Sequence, residues 1–449
     1  MAALSHGQGL PLRRAIEESG VLNYQKGLSS LARAGHSELV ELIRGGESQF
    51  AMRRSGISAT YAEPTKNSQV VCVDIGGTNV RVSVRRIDAD GNITWHPLLN
   101  QPHAELCGNK AVTFDTFAAT LAETVAEKMK TIGASTHAKN AVVVTWSNSF
   151  EPEQLPKDGK VTGVSGVASK VKELYTKGEL FLEGVVDGTP LGTILSTAFQ
   201  GAGIPLDTFV LGNDTVFTLK AGTGAHAGVI VSTGINGTFV VNGEVINGET
   251  GGGFKVPESM LGLPDKRFGK EVSVQDLVSG GFLPDVFKRY ICEFAGRNVD
   301  GFGELHHHNR IFKDRVKAEG ISALADGSRD GFSSNAPFPT KDFSEATWLG
   351  LTRLAELLTD RAADLSAVLA LTSVQNRIAT ESGPHVIALD SSMARGSPRF
   401  FSRFCDTLGK LAYPSQIAVD LLYPEGDIPV PTRGAAKTLD TIWAAQIPA

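Results

Sequence analysis

Asp74-Ile75-Gly76-Gly77-Thr78-Asn79-Val80-Arg81-Val82 is the stretch whose reading decides the fold. It follows the apolar run Gln69-Val70-Val71-Cys72-Val73 and leads into Val80, Val82 and Val84, which alternate with polar residues. Two such runs around a glycine-rich tetrad predict a β-hairpin with its turn at Gly76-Gly77-Thr78-Asn79. Glycine accepts positive φ and leaves backbone amides unshielded, while Thr78 and Asn79 add side-chain donors, so the turn suits a phosphate. Asp74, at its mouth, is placed to hold a hydrated magnesium ion. An ordinary hairpin turn has the same pattern, so the phosphate reading needs a second motif.

That motif is Leu211-Gly212-Asn213-Asp214-Thr215-Val216-Phe217, where two polar residues open an otherwise apolar segment. On residues alone, Asn213-Asp214 reads equally as the cap of a helix starting at Thr215 and as a strand end opening into a cleft. There is no GxxxxGK[ST] string and no protein-kinase glycine loop with its catalytic segment. Phosphate must then be held by two separate turns, Gly76-Gly77-Thr78 and Ser232-Thr233-Gly234, each following an apolar strand and together clamping a triphosphate from two domains.

Composition bounds the rest. A chain of 449 residues, 41% hydrophobic and 20% charged, is long enough for two or three domains with their own cores. The net charge of -5 argues against a nucleic-acid partner, which needs a basic face. No stretch reads as a secretory leader or a membrane span, so a cytoplasmic location is expected. Cys72, Cys107, Cys292 and Cys405 form no CxxC pair and read as reduced thiols. His306-His307-His308, beside Glu304, would point in different directions on a helix and reads as a solvated run, not a metal site.

Along the chain, residues 1–66 read as helical and polar, with Leu28, Leu31, Leu39, Leu42 and Ile43 at helical spacing. Residues 67–100 read as strands, and 111–132 as an amphipathic helix through Phe114, Phe117, Leu121, Val125 and Met129. A buried strand is expected at 140–146. A second strand-rich block runs through 207–213, 228–234, 237–242 and 243–246, so the chain repeats its opening architecture. Residues 270–317 and 345–379 read as helical, the latter with a stripe at Leu351, Leu354, Leu358, Leu365 and Leu369. Residues 318–341, rich in Ser, Gly, Asp and Pro, read as a surface loop, followed by a strand at 384–389 and a helix at 399–411.

These motifs together resemble the hexokinase and glucokinase family of the actin-like ATPase superfamily. DIGGTNVRV (74–82) resembles its first phosphate motif, the Asp214 segment its catalytic segment, and Ser232-Thr233-Gly234-Ile235-Asn236 its second phosphate loop. VINGETGGGF (245–254) resembles the stretch that gives an Asn and a Glu to sugar, and LVSGGFL (277–283) another family segment. DRAADL (360–365), HVIALDSS (385–392) with SPRF (397–400), and RGAAKTL (433–439) resemble the Arg-Ala-Ala helix, the adenosine motif and the closing helix. The order is the family's order.

The resemblance implies an α/β fold of two actin-like, ribonuclease H-like domains with mixed sheets flanked by helices and a sugar and ATP cleft between them. One domain would hold 67–212 with the final helix 434–449, the other the 1–66 segment and 213–433. It implies ATP-dependent phosphorylation of the 6-hydroxyl of glucose or a related hexose. A hydroxyl attacking the γ-phosphate must lose a proton, and Asp214 is the expected acceptor. Asn213, Asn247 and Glu249 would hold sugar hydroxyls, with Ser147, Asn148, Thr176, Lys177 and Asp285; Lys177 would also offset phosphoryl charge. Asp74, Gly76, Gly77, Thr78, Asn79, Arg81, Thr233, Gly234, Asn236 and Ser392 would hold ATP, and Asp74 and Asp214 would hold Mg2+ through water. The family's second sugar-binding glutamate falls near Asp285, a shorter carboxylate, or is absent because Pro284 alters the turn, and Ser391 stands where the adenosine motif has glycine. Those departures keep open a catalytically weak hexose sensor of the same fold.

Overall fold

The glycine-rich hairpin forms where its sequence places it. Ser68–Ile75 and Asn79–Ile87 pair antiparallel with Asp74 opposite Arg81, and Gly76 N–H donates to the Asn79 carbonyl at 3.0 Å. The structure, a computed structural model, describes residues 10–44, 48, 53–76, 79–108, 111–133, 135, 137–147, 150–154, 162–168, 175–177, 180–269, 271–302, 305, 316–336, 340–341 and 343–446. Gly77, Thr78, Asn148 and the histidine run 306–308 with Glu304 lie outside them.

The hairpin belongs to a seven-stranded sheet in the order Ile93–Pro102, Asn79–Ile87, Ser68–Ile75, Lys139–Trp146, Thr208–Gly212, Thr162–Ala168, Phe150–Gln154. Its first three strands in chain order form an antiparallel meander, and Lys139–Trp146 and Thr208–Gly212 then add in parallel. A six-stranded sheet repeats that plan. Ala227–Val231, Ile235–Val241 and Glu244–Asn247 form the meander, and His385–Ser391 and Ile417–Leu421 add in parallel. Both sheets therefore contain the order third, second, first, fourth, fifth. Valines and isoleucines bury the inner strands on both faces, as parallel strands require.

Two helices lie between the sheets. Asp214–Ala221 carries Val216, Phe217 and Leu219, and Val430–Ala445 carries Ala435, Ala436, Leu439 and Trp443; all pack in one cluster with Val70, Cys72 and Val143 of the first sheet and Val245 of the second. Outside the second sheet runs Glu345–Ile378, whose Leu351, Leu354, Leu358, Leu365 and Leu369 are all buried as the stripe predicts. Arg361 on the same helix is buried too. Asp265 engages it at 2.6 and 3.2 Å and accepts from the Tyr290 hydroxyl at 2.9 Å, which satisfies a charge that would otherwise be costly in the core.

Two expectations are corrected. Residues 1–66 are not helical throughout: Leu12–Ser19 and Leu28–Ile43 are helices, but Arg53–Ser58 is a strand at the edge of the second sheet, paired with Glu244–Asn247. Only Ile57 in it is a buried apolar residue, so no hydrophobic period marks it, and its backbone partner lies far along the chain. Residues 318–341 are not a bare loop either. Ala318–Ala325 and Arg329–Asn335 are helices that bury Ile321, Leu324 and Phe332. The turn-forming residues between them are helix ends: Gly327 has φ 88°, and Ser328 Oγ accepts from Gly331 N–H at 3.0 Å.

Candidate active site

Parallel register decides which residues meet. Asp74 is level with Thr145, and Thr145 with Gly212, so the three strands end together. Asp74, Ser147 and the Asn213-Asp214 pair thus emerge at one carboxyl end of the first sheet, the end at which open α/β sheets bind ligands.

Asn213 and Asp214 are both a strand end and a helix start. The Asn213 side chain is buried; its Oδ1 accepts from Thr215 N–H at 2.9 Å, and its Nδ2 donates to the Trp146 carbonyl at 3.4 Å. Asn213 is therefore the cap, which leaves Asp214 at the first helical position, half-buried, with Oδ1 accepting from Thr215 N–H at 2.8 Å.

The second sheet brings amides to the same place. Thr238 Oγ1 donates to the Thr215 carbonyl at 3.3 Å, Asn247 sits opposite Thr238, and Asn236, two residues earlier on the strand, shares that face. Asn236 Nδ2 donates to Asn247 Oδ1 at 2.8 Å, and Asn247 Nδ2 donates to Glu249 Oε1 at 2.8 Å. Asn236 Oδ1 also accepts from Gly237 and Thr250 N–H at 2.7 and 3.2 Å. Glu249 has φ 45°, a left-handed backbone rare outside glycine, so its carboxylate is held on a strained turn. Sequence groups Asn236 with the phosphate loop, but strand alternation turns its amide to Asn247.

At the first turn, Asp74 is almost buried and accepts from Arg81 Nη1 at 3.1 Å, while Asn79 Nδ2 donates to Asn100 Oδ1 at 2.9 Å. The buried His103 fixes the turn from below through Nε2, 2.8 Å from the Gly76 carbonyl. At the second turn, Gly280 and Gly281 N–H donate to the Ser232 and Thr233 carbonyls at 2.7 and 3.0 Å, so the 279–281 segment braces the loop from outside it. Ser392 Oγ lies 3.5 Å from Ser232 Oγ. A cavity of about 570 Å3 opens there, lined among others by Ser232, Thr233, Lys317, Glu319 and Ser392.

The departures have local explanations. Ser391 is fully buried and caps the short helix Ser392–Gly396 by accepting from Ala394 N–H at 2.9 Å, so its hydroxyl is engaged within the fold. Pro284 lies in the first turn of Leu283–Gly296, where a missing N–H costs nothing, and Asp285 follows it half-buried. Burial pushes the Asp390 carboxyl above its usual range; Arg395, at 2.6 Å, opposes this, and the Asp214 charge adds to it. Asp390 of the second sheet is thus close enough to Asp214 of the first to feel its charge.

Thr176 and Lys177 lie on Tyr175–Lys177, paired with Leu180–Glu183 in a small three-stranded sheet; their side chains fall outside the description. Among the described residues no three His, Cys, Asp or Glu side chains converge as a ready-made metal site. Thr238, His103, Lys317 and Glu319 were not singled out in sequence. The alternation of Asn236 and Thr238 was the available signal for the first; reading 270–317 as helix and 318–341 as a loop hid Lys317 and Glu319 where the two segments meet.

No protein-family model matches the chain, and no curated protein does. Solved structures do. The hexokinase from Schistosoma mansoni complexed with glucose is 17% identical, with a TM-score of 0.69 over 96% of this chain and 98% of that one. A second hexokinase crystal structure is 19% identical, with a TM-score of 0.68 over 96% and 99%. A ROK family transcriptional regulator, a homolog of the E. coli MLC protein, is 13% identical, with a TM-score of 0.50 over 84% and 80%. At such identities what is shared is the arrangement of elements, here the doubled strand order and the helices between the sheets. The chain has the fold of these hexokinases, with two mixed sheets flanked by helices.

Proposed function

We propose that the chain transfers the γ-phosphoryl group of ATP to the 6-hydroxyl of glucose or a related hexose, with Asp214 as general base. The observation that carries this reading is the position of Asp214: half-buried beside Asn213 where strand becomes helix, and followed by Thr215, whose carbonyl accepts from Thr238 on the strand face that also carries the bonded Asn236 and Asn247. Amides and carboxylates so placed can donate to and accept from vicinal hydroxyls, orienting a sugar. Asp214 takes the proton of the attacking hydroxyl as the bond to phosphorus forms.

Asn213, Asn247 and Glu249 form the sugar set in this reading, with Ser147, Asn148, Thr176, Lys177 and Asp285 around them, and Asn236 orients Asn247. The turns at Gly76–Asn79 and Ser232–Gly234 take the phosphates, Arg81 contributes positive charge, and the cavity beside Ser392 takes the nucleoside. The oxygen donors of Asp74 and Asp214 fit a magnesium ion, which uses one or two carboxylates and completes its shell with water and phosphate. When bound, that ion neutralises charge on the β- and γ-phosphates. Residues 67–212 with 434–449 would close on 1–66 with 213–433 when sugar binds, excluding water as a competing acceptor. Among the described residues no helix is long and apolar enough to cross a membrane, and a cytoplasmic location belongs to the same reading.

The test is ADP release from MgATP with glucose, fructose, mannose, N-acetylglucosamine, glycerol and no acceptor, beside Asp214→Ala. Hexose-dependent turnover should fall by about 10²-fold or more in the variant. Glucose binding without turnover in the native chain would instead favour a hexose sensor, the reading to which the shortened carboxylate at Asp285 points.

A further inference from the structure

Three stretches carry the chain between the sheets. Residues 59–67 join Arg53–Ser58 to Ser68–Ile75, and residues 213–226, with the helix Asp214–Ala221, join Thr208–Gly212 to Ala227–Val231. Residues 422–429 lead from Ile417–Leu421 to Val430–Ala445, which packs on the first sheet.

One side chain joins the second of these to the first and to the helix that follows the third. Lys220, on Asp214–Ala221, is completely buried. Its ammonium donates to the carbonyls of Ser58, at 3.3 Å, and Thr60 in the first crossing, and to Thr441 Oγ1 of the last helix at 3.3 Å. It also lies 4.5 Å from the centre of the Tyr61 ring, a cation–π distance. The Tyr61 hydroxyl reaches back to the Leu219 and Gly222 carbonyls at 3.1 and 2.7 Å, and Lys437 Nζ donates to the Ala221 carbonyl at 2.8 Å. Among the described residues no carboxylate forms an ion pair with Lys220; Asp440 nearby is taken by Arg85 through two 2.8 Å hydrogen bonds. A buried ammonium satisfied by carbonyls, a hydroxyl and a ring is costly for a surface-type residue, and nothing in the proposed chemistry uses it.

We propose that Lys220 is a positioning residue of the cleft, tying its own crossing to the first crossing and to the last helix so that they limit how far the two sheets rotate apart. Where it concerns sugar affinity this rests on the kinase reading; the tie itself does not. Without it the open arrangement is favoured, and sugar must work against that bias to bring Asn247 and Glu249 to Asp214.

Burial lowers the Lys220 amine to about 8, Lys437 pushes the same way, and Asp440 opposes them. Because an unfolded lysine titrates near ~10.4, the unfolded chain holds more protons between those values, and stability from this group rises with pH across that window. Lys220→Met should remove that rise, read as the change in thermal midpoint between pH 8 and pH 10.

The deciding experiment compares native protein with Lys220→Met by small-angle X-ray scattering without sugar and by steady-state kinetics. The expected results are a larger radius of gyration and a KM for glucose raised about tenfold, as for loss of a charged hydrogen-bond donor, with kcat changed by no more than about twofold. Thr441→Val removes one of the contacts and should shift both readouts the same way by less, which keeps the test available if Lys220→Met does not fold. Unchanged scattering and KM in the folded variants would overturn the proposal. If the native chain turns over no sugar, the kinase reading falls, while scattering and the pH dependence of stability still judge the tie.

Discussion

The two sheets share one plan and differ in what they carry at its ends. In both, an antiparallel meander is extended by two parallel strands, and a tight turn joins the first two strands of the meander. The first sheet ends its strands in acids, with Asp74 beside the glycine turn and Asp214 after Thr208–Gly212. The second ends them in hydroxyls and amides: Ser232 and Thr233 at the turn, Ser391 at the end of His385–Ser391 with Ser392 after it, and Asn236 and Asn247 along the meander. Its own acid there, Asp390, is held by Arg395 at 2.6 Å. A duplicated topology thus supports divided chemistry. In the proposed reading the carboxylates that take the proton and hold the metal ion, Asp214 and Asp74, both come from the first half, and the helix Asp214–Ala221 packs between the two sheets.

Substitutions that respect this division should separate turnover from stability. Asp265→Ala, in the core of the second half, leaves Arg361 buried without its carboxylate and should destabilise the protein by about 3–5 kcal/mol, measured by urea unfolding. Asp214→Ala should show the opposite profile: turnover lost by about 10²-fold, with the unfolding midpoint barely moved. If Asp214→Ala mainly unfolds the chain, the assignment of chemistry to the first half fails. Gly434→Ala probes the joint itself. A Cβ at Gly434 would lie 1.7 Å from the Phe217 carbonyl oxygen, so the usual helix preference for alanine is reversed. Destabilisation of about 1–3 kcal/mol is expected, and a gain in stability would mean that the two helices pack less closely. The smallest effect belongs to Ser391→Ala, which removes a helix cap beside the cavity proposed to take the nucleoside. It should cost about 1 kcal/mol while leaving the KM for glucose unchanged and moving that for ATP only slightly; a large change in ATP affinity would show that the hydroxyl faces the nucleotide.

The strength of the local pattern decided what could be read early. The hairpin at 74–82, the strand at 139–146 and the helix at 345–378 each bury nearly every apolar residue that their period marks, so period and fold agree. Arg53–Ser58 was missed because an edge strand of Arg, Ser and Gly has no apolar period and is selected by backbone pairing to Glu244–Asn247. The helices at 318–325 and 329–335 were missed because their caps, Gly327 and Ser328, are the residues that also mark loops. The identities of Asp214, Asn247 and Glu249 as site candidates were legible; the orientation of Asn236 was not, since it depends on which strand lies beside it.

By itself the sequence determined the strands with an apolar period, the glycine turns, the long buried helix and the residue types available for chemistry, because apolar periodicity and turn propensity act over a few neighbouring residues. Only the tertiary structure decided that Asp74, Ser147 and Asp214 end level, that Asn236 bonds to Asn247, and that Lys220 reaches both the first crossing and the last helix. Those outcomes follow from strand register and from packing between segments far apart in the chain, which no local pattern encodes.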